Sequence, residues 1–130
     1  MMEKPPTVRE GMKLLDLINT FKTEDVSYLH VVNENNDLTG IISFRDIRPL
    51  FQEQDLHLLV VAKDVATGDL VTVQPHESIL KALQTMGALG ISQLPVVGGE
   101  NGKKVIGTLR DKDVIAAYDK AIIRKEIETG

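Results

Sequence analysis

The chain has 130 residues, 42% hydrophobic and 26% charged, which suits one globular domain with a real core. A net charge of −4 and an aromatic content of 4% speak against a nucleic-acid surface, which needs a basic footprint or a base-stacking platform. With no cysteine there are no disulfides, thiolate nucleophiles or iron–sulfur clusters.

In chain order, Met1-Met2-Glu3-Lys4-Pro5-Pro6 lacks the apolar core of a signal peptide. Thr7-Val8 reads as a short strand, and residues 12–21 carry apolar side chains at helical spacing. Residues 26–32 and 38–43 are strand-like and flank the turn-rich Asn33-Glu34-Asn35-Asn36-Asp37. A closing helix begins near Phe44, and Pro49 helps end it. In the following connector, Leu58-Leu59-Val60-Val61-Ala62 reads as a buried strand, far too short to span a bilayer. Thr72-Val73 opens a second series, with a helix over 77–86 and a hairpin of 91–97 and 104–109 around Gly98-Gly99-Glu100-Asn101-Gly102. A last helix starts near Asp111 and presents Val114, Ala117, Tyr118, Ala121 and Ile122 as one apolar stripe.

The two series are copies of one another. Residues 7–32 align without gaps onto 72–97, with Thr7/Thr72, Val8/Val73, Leu15/Leu80, Ser27/Ser92, Leu29/Leu94, Val31/Val96 and Val32/Val97 identical. After a turn slightly longer in the second copy, Gly40/Gly107, Ile42/Leu109, Arg45/Lys112, Asp46/Asp113 and Ile47/Val114 correspond. The expected fold is α/β of the α+β kind: two pseudo-twofold β-α-β-β-α repeats packed as one module. Its parts are repeat 1 over 1–51, an ordered connector over 52–69, repeat 2 over 70–125 and a tail over 126–130.

The pattern Ser-x-Leu-x-Val-Val, a turn, then glycine and an aspartate six residues later resembles the CBS domain, named for cystathionine β-synthase. Leu94-Pro95-Val96-Val97 followed by Gly107-Thr108-Leu109-Arg110-Asp111-Lys112-Asp113-Val114 carries the likeness most closely, and it extends over nearly the whole chain. More narrowly, residues 60–67 and 116–121 resemble the cytoplasmic tandem CBS tails of prokaryotic voltage-gated chloride channels and transporters. That resemblance implies a regulatory cytoplasmic module joined to an integral membrane parent.

It also implies two inter-repeat clefts for adenine nucleotides (ATP, ADP or AMP). A carboxylate would accept from ribose hydroxyls, and strand residues would sandwich the base. The first cleft would pair Ser43 and Asp46 with Thr72, Val73, Ile91 and Ser92. The second would pair Asp113 with Thr7, Val8, Val26 and Ser27, Tyr28 nearby, and Arg110 standing where serine or threonine is expected. Each choice has a plainer reading. Ser43-x-x-Asp46 resembles a helix capping box, Asp111 would cap the last helix, and the threonines and valines are ordinary strand residues. Gly40 and Gly107 suit close approach, by the chain itself or by a ligand. Arg45 and Lys112 would guide phosphates or be solvated surface charges.

No P-loop and no Gly-x-Ser-x-Gly elbow occurs, and His30, His57 and His76 share no metal-ligand spacing. The expectation is therefore a binding module with no catalysis, required cofactor or metal. Rival readings are a dimerising scaffold with empty clefts and a stand-alone sensor of another adenosyl ligand such as S-adenosylmethionine. A homodimer is expected under the leading reading and the scaffold alike, and exposed apolar area around Ile115, Tyr118 and Ile122 would favour the scaffold.

Overall fold

The computed structural model describes residues 6–117 and 119 and has the expected α+β architecture. The first half gives β1 (Thr7–Arg9), α1 (Leu14–Glu24), β2 (Tyr28–Val32), β3 (Leu38–Ser43) and the one-turn α2 (Phe44–Ile47). Two 3-10 turns, Arg48–Leu50 and Gln54–Leu56, lead to α3 (Ala62–Val65). The second half gives α4 (Ile79–Leu89), β4 (Gln93–Gly98), β5 (Lys104–Arg110) and a helix over 111–117, α5. Tyr118, Ala121, Ile122 and the tail over 126–130 lie outside the described residues.

One sheet has the order β1-β2-β3, with β1 parallel and β3 antiparallel to β2, and the other pairs β4 with β5 antiparallel. The opening strand expected in the second copy is reduced to one bridge. The Val73 N–H donates to the Pro95 carbonyl (3.0 Å) and the Val97 N–H donates to Val73 (2.9 Å). The duplication reaches fine detail. Register slips between Val31 and Val32 and again between Val96 and Val97, leaving Thr39 and Ile106 as the extra residues of equivalent bulges. The Phe44 N–H donates to Ser27 O and the Asp111 N–H to Ser92 O, both at 2.9 Å, so the two closing helices leave their hairpins alike.

Strands β2 and β4 are buried on both faces, which is why their sequences read as near-continuous apolar runs. Helix α1 buries Leu14, Leu17, Ile18 and Phe21, one helical face, and ends where Asp25 turns left-handed at φ 51°. Helix α4 buries only Ala82 and Met86 and ends on Gly90 at φ 67°. The copies also differ in aromatic content. Phe44 makes edge-to-face contacts with Phe21 (5.5 Å) and Phe51 (5.4 Å), and the positions equivalent to Phe21 and Phe44 hold Met86 and Asp111.

The connector departs from the sequence reading. Leu58 and Leu59 are 62% and 75% exposed, and no strand forms over 58–62. Val61 makes a single bridge to Lys13, and Ala62, fully buried, opens α3. The reason lies at the start of α1, where Lys13 offers no side-chain cap. The Leu14 N–H donates to Val60 O (2.8 Å) and the Leu15 N–H to His57 O (3.1 Å). The connector's carbonyls thus satisfy the open donors of a helix end instead of pairing with a sheet. Further on, Thr67 exchanges hydrogen bonds with Ile41 (2.9 and 3.1 Å) and covers the outer edge of β3.

The two hairpins are clasped near their turns. The Leu38 N–H donates to Lys103 O (2.8 Å), and the Asp37 carboxylate accepts from Lys104 Nζ (2.7 Å) and Asn101 Nδ2 (2.9 Å). The Lys104 ammonium also donates to Asn35 O. These bonds, Lys104 first, hold the Asp37 carboxyl below its ordinary range.

Candidate functional site

Two clefts open between the repeats, related by the same pseudo-twofold as the chain. The first, about 460 Å³, has Ser43 and Asp46 on one side and Ile91, Leu94 and Pro95 on the other. Thr67, Asp69, Leu70 and Val71 form its connector wall. The second, about 410 Å³, has Val26, Ser27 and Tyr28 facing Thr108, Arg110 and Lys112. Pro6, Asp25, Ser92 and Asp111 complete it. Tyr28, His30 and Gln93 line both clefts, so the two adjoin.

Of the residues singled out from sequence, Ser43, Asp46 and Ile91 meet in the first cleft, and Val26, Ser27 and Arg110 meet in the second. Ser92 lies in the second cleft beside its counterpart Ser27, not with Ser43, because the hairpin ends carrying these serines face one another. Val8 and Val73 are core residues, 3% and 6% exposed, and line neither cleft. Thr7 is exposed on β1 and Thr72 partly buried, and neither lines a cleft. Asp113 does not line the second cleft itself but accepts from Nε of Arg110, which does (3.0 Å). Ser43 accepts from the Arg45 N–H (3.2 Å), so its capping role is real while it lines the cleft.

The sequence reading missed Pro6 and Val71, which occupy equivalent positions and each line a cleft. The repeat itself contained the signal: each stands one place before Thr7 or Thr72. It also missed Thr108 and gave His30 a structural role at its strand. His30 is 2% exposed and Thr108 9%, and neither His30 Nδ1 nor Thr108 Oγ1 has a hydrogen-bond partner among the described residues. Burial lowers the His30 pKa to about 4, so the ring is neutral near pH 7. Two residues lining the second cleft, one from each repeat, thus carry buried polar atoms without partners among the described residues.

At Gly40, the chain itself makes the close approach. A Cβ there would lie 2.7 Å from Ala66 Cβ. Among the described residues no group of acidic residues and histidines could hold a metal ion, and no helix is long and apolar enough to cross a membrane.

The sequence pattern of the CBS domain family matches residues 1–53 and 62–120. The chain belongs to the CBS domain family. It is 33% identical over 114 residues to a homoserine O-acetyltransferase of Methanococcoides burtonii, covering 88% of this chain but 22% of that enzyme. The enzyme's name therefore describes a protein of which this CBS pair matches a fraction. The CBS domain pair of protein MJ0100, solved with 5′-methylthioadenosine and S-adenosyl-L-methionine, superposes with a TM-score of 0.72. It is 20% identical, over 92% of this chain and 93% of that one. The cytosolic domain of the Mg²⁺ channel MgtE, solved with ATP, gives 0.75 at 23% identity, over 88% of this chain and 45% of that one. At these identities the likeness establishes the fold, a tandem CBS pair.

Proposed function

We propose that this CBS pair is a regulatory module that binds adenosyl ligands, adenine nucleotides among them, between its repeats and that it catalyses nothing. The observation that carries the reading is the composition of the clefts. Each is walled by both repeats, and the second is lined by His30 and Thr108, whose Nδ1 and Oγ1 are buried without a partner among the described residues. A ligand held there touches both halves, so its binding energy depends on how the halves sit, which is the requirement for regulation. In the first cleft, Asp46 would accept from ribose hydroxyls while Ile91 and Val71 flank the base. In the second, Arg110 and Lys112 would meet phosphate, with Val26 and Tyr28 beside the base. The ligands bound in the structures of the MJ0100 pair and of the MgtE cytosolic domain support adenosyl chemistry as the class.

The reading extends to a parent protein. Resemblance of 60–67 and 116–121 to chloride-transporter tails, and the channel origin of one structural relative, support a membrane transport protein whose gating the module controls. About ten or more membrane-length apolar segments in the same reading frame are expected, and none would remove the transporter assignment. Homodimerisation is proposed through the α5 face, where Ile115 is half exposed. Sedimentation across a concentration series tests it.

Calorimetric titration of ATP, ADP and AMP, repeated with Asp46→Ala and Arg110→Ala, tests the binding itself. Binding by the intact chain that is lost in one folded variant identifies the working cleft. No heat, with thermal stability indifferent to millimolar nucleotide, would leave a scaffold rather than a sensor.

A further inference from the structure

The clefts are equivalent by symmetry but not in chemistry. At matched positions Ser43 faces the first cleft where Arg110 faces the second, and Ile41 where Thr108 does. The first cleft is lined by the carboxylates of Asp46 and Asp69, and by no lysine or arginine among the described residues. His30 supplies no cation to either, since burial holds its ring neutral near pH 7. The residue lines both clefts, and its Nδ1 is buried without a partner among the described residues. The second cleft carries Arg110 and Lys112 alongside Asp25 and Asp111, and Asp113 orients the Arg110 guanidinium through Nε.

A phosphate monoester brings a charge of about −1.5 to −2 near neutral pH. In the first cleft that charge would meet two carboxylates and no countercharge. In the second it would meet a guanidinium and an ammonium beside the carboxylates of Asp25 and Asp111, so countercharge is present there and absent from the first. The first cleft's Leu70, Val71 and Leu89 instead offer apolar surface suited to a thioether or methyl group.

Resting on the proposed adenosyl binding, we propose that the two clefts take different ligands: the Arg110 cleft a phosphate-bearing adenine nucleotide, the Asp46 cleft a phosphate-free adenosyl compound, uncharged or cationic at its 5′ substituent. The module would then read two pools at once.

The test titrates AMP and 5′-methylthioadenosine into the intact chain, alone and each in the presence of saturating amounts of the other. Both should bind together. Arg110→Ser, which copies the other repeat, should weaken AMP about tenfold or more and leave methylthioadenosine within about twofold. Lys112→Ala, on an exposed helical position, should act in the same direction should the first variant fold poorly. Asp69→Lys, also at an exposed position, should let a second equivalent of AMP bind. If the two compounds exclude one another, or Arg110→Ser and Lys112→Ala leave AMP unchanged, the division between clefts is overturned while adenosyl binding stands. If neither compound nor ATP binds, the adenosyl reading itself fails.

Discussion

Gly40→Ala tests how tightly the connector is laid on the first sheet. The new methyl carbon would sit 2.7 Å from Ala66 Cβ and 3.4 Å from the Thr67 carbonyl oxygen. Carbon atoms in contact normally keep about 3.5–4.0 Å, so the connector must retreat by about 1 Å. That retreat strains the Thr67–Ile41 hydrogen bonds of 2.9 and 3.1 Å. Overpacking of this kind costs about 1–3 kcal/mol, and it outweighs the roughly 0.4–1 kcal/mol that alanine returns by restricting the unfolded chain. Ala66→Gly alone should cost about 0.5–1 kcal/mol through chain entropy. Combined, the two changes should recover about 1–2 kcal/mol relative to their sum, because the clash needs both methyl groups. Urea unfolding of the four proteins measures the cycle. A neutral Gly40→Ala, or strict additivity, would refute the argument that self-packing demands this glycine. Since Thr67 and Asp69 line the Asp46 cleft, Gly40→Ala should also weaken a ligand there more than one in the Arg110 cleft.

Leu29→Ala and Leu94→Ala, at equivalent positions 0% and 2% exposed, should each cost about 2–5 kcal/mol in urea unfolding. A loss below 1 kcal/mol at either would contradict the packing described. Ser78 accepts from the Lys81 N–H (3.3 Å), so Ser78→Ala should cost about 1 kcal/mol, whereas Lys13→Ala, at a helix start without a side-chain cap, should cost less. The His30 pKa, lowered from 6.5 to about 4, makes the unfolded chain bind more protons between those values. Its contribution is fully present above pH 6.5 and is lost as pH falls toward 4, by about 3 kcal/mol. His30→Leu should flatten stability against pH over that window, and an unchanged slope would show that the ring protonates freely when folded.

Much of the fold was legible because it is written twice. A strand or helix read weakly in one copy was supported by its partner, as Leu29-His30-Val31-Val32 was by Leu94-Pro95-Val96-Val97. The connector has no second copy, and there the reading failed. Leu58-Leu59-Val60-Val61-Ala62 has the composition of a buried strand, but its Val60 carbonyl, with that of His57 just before it, serves the start of α1 and both of its leucines are exposed. Composition reports how apolar a segment is, not which donors its backbone must satisfy. The site was legible in part for a related reason. Val8 and Val73 enter the core, while Pro6 and Val71, two places earlier and ahead of the strand or bridge, stand at the cleft. A motif marks the neighbourhood of such a wall, and the register chooses the residue.

Divergence between the copies follows the same geometry. Buried positions stay apolar in both copies, identical at Leu29/Leu94 and Val31/Val96 and changed only in size or shape at Leu17/Ala82 and Phe21/Met86, because each half must fill its own core. Cleft positions such as Ser43/Arg110 and Ile41/Thr108 differ, since a cleft wall need only suit its ligand. The Asp37–Lys104–Asn101 clasp stands at the starting ends of β3 and β5, and Ser43 and Arg110 stand at their far ends. Over the six residues of β3 that separation is about 20 Å. The hairpins are thus tied at one end, with the clefts at the other. A rotation about the clasp would change the clefts most, and a ligand in a cleft would act with the longest lever on how the repeats sit.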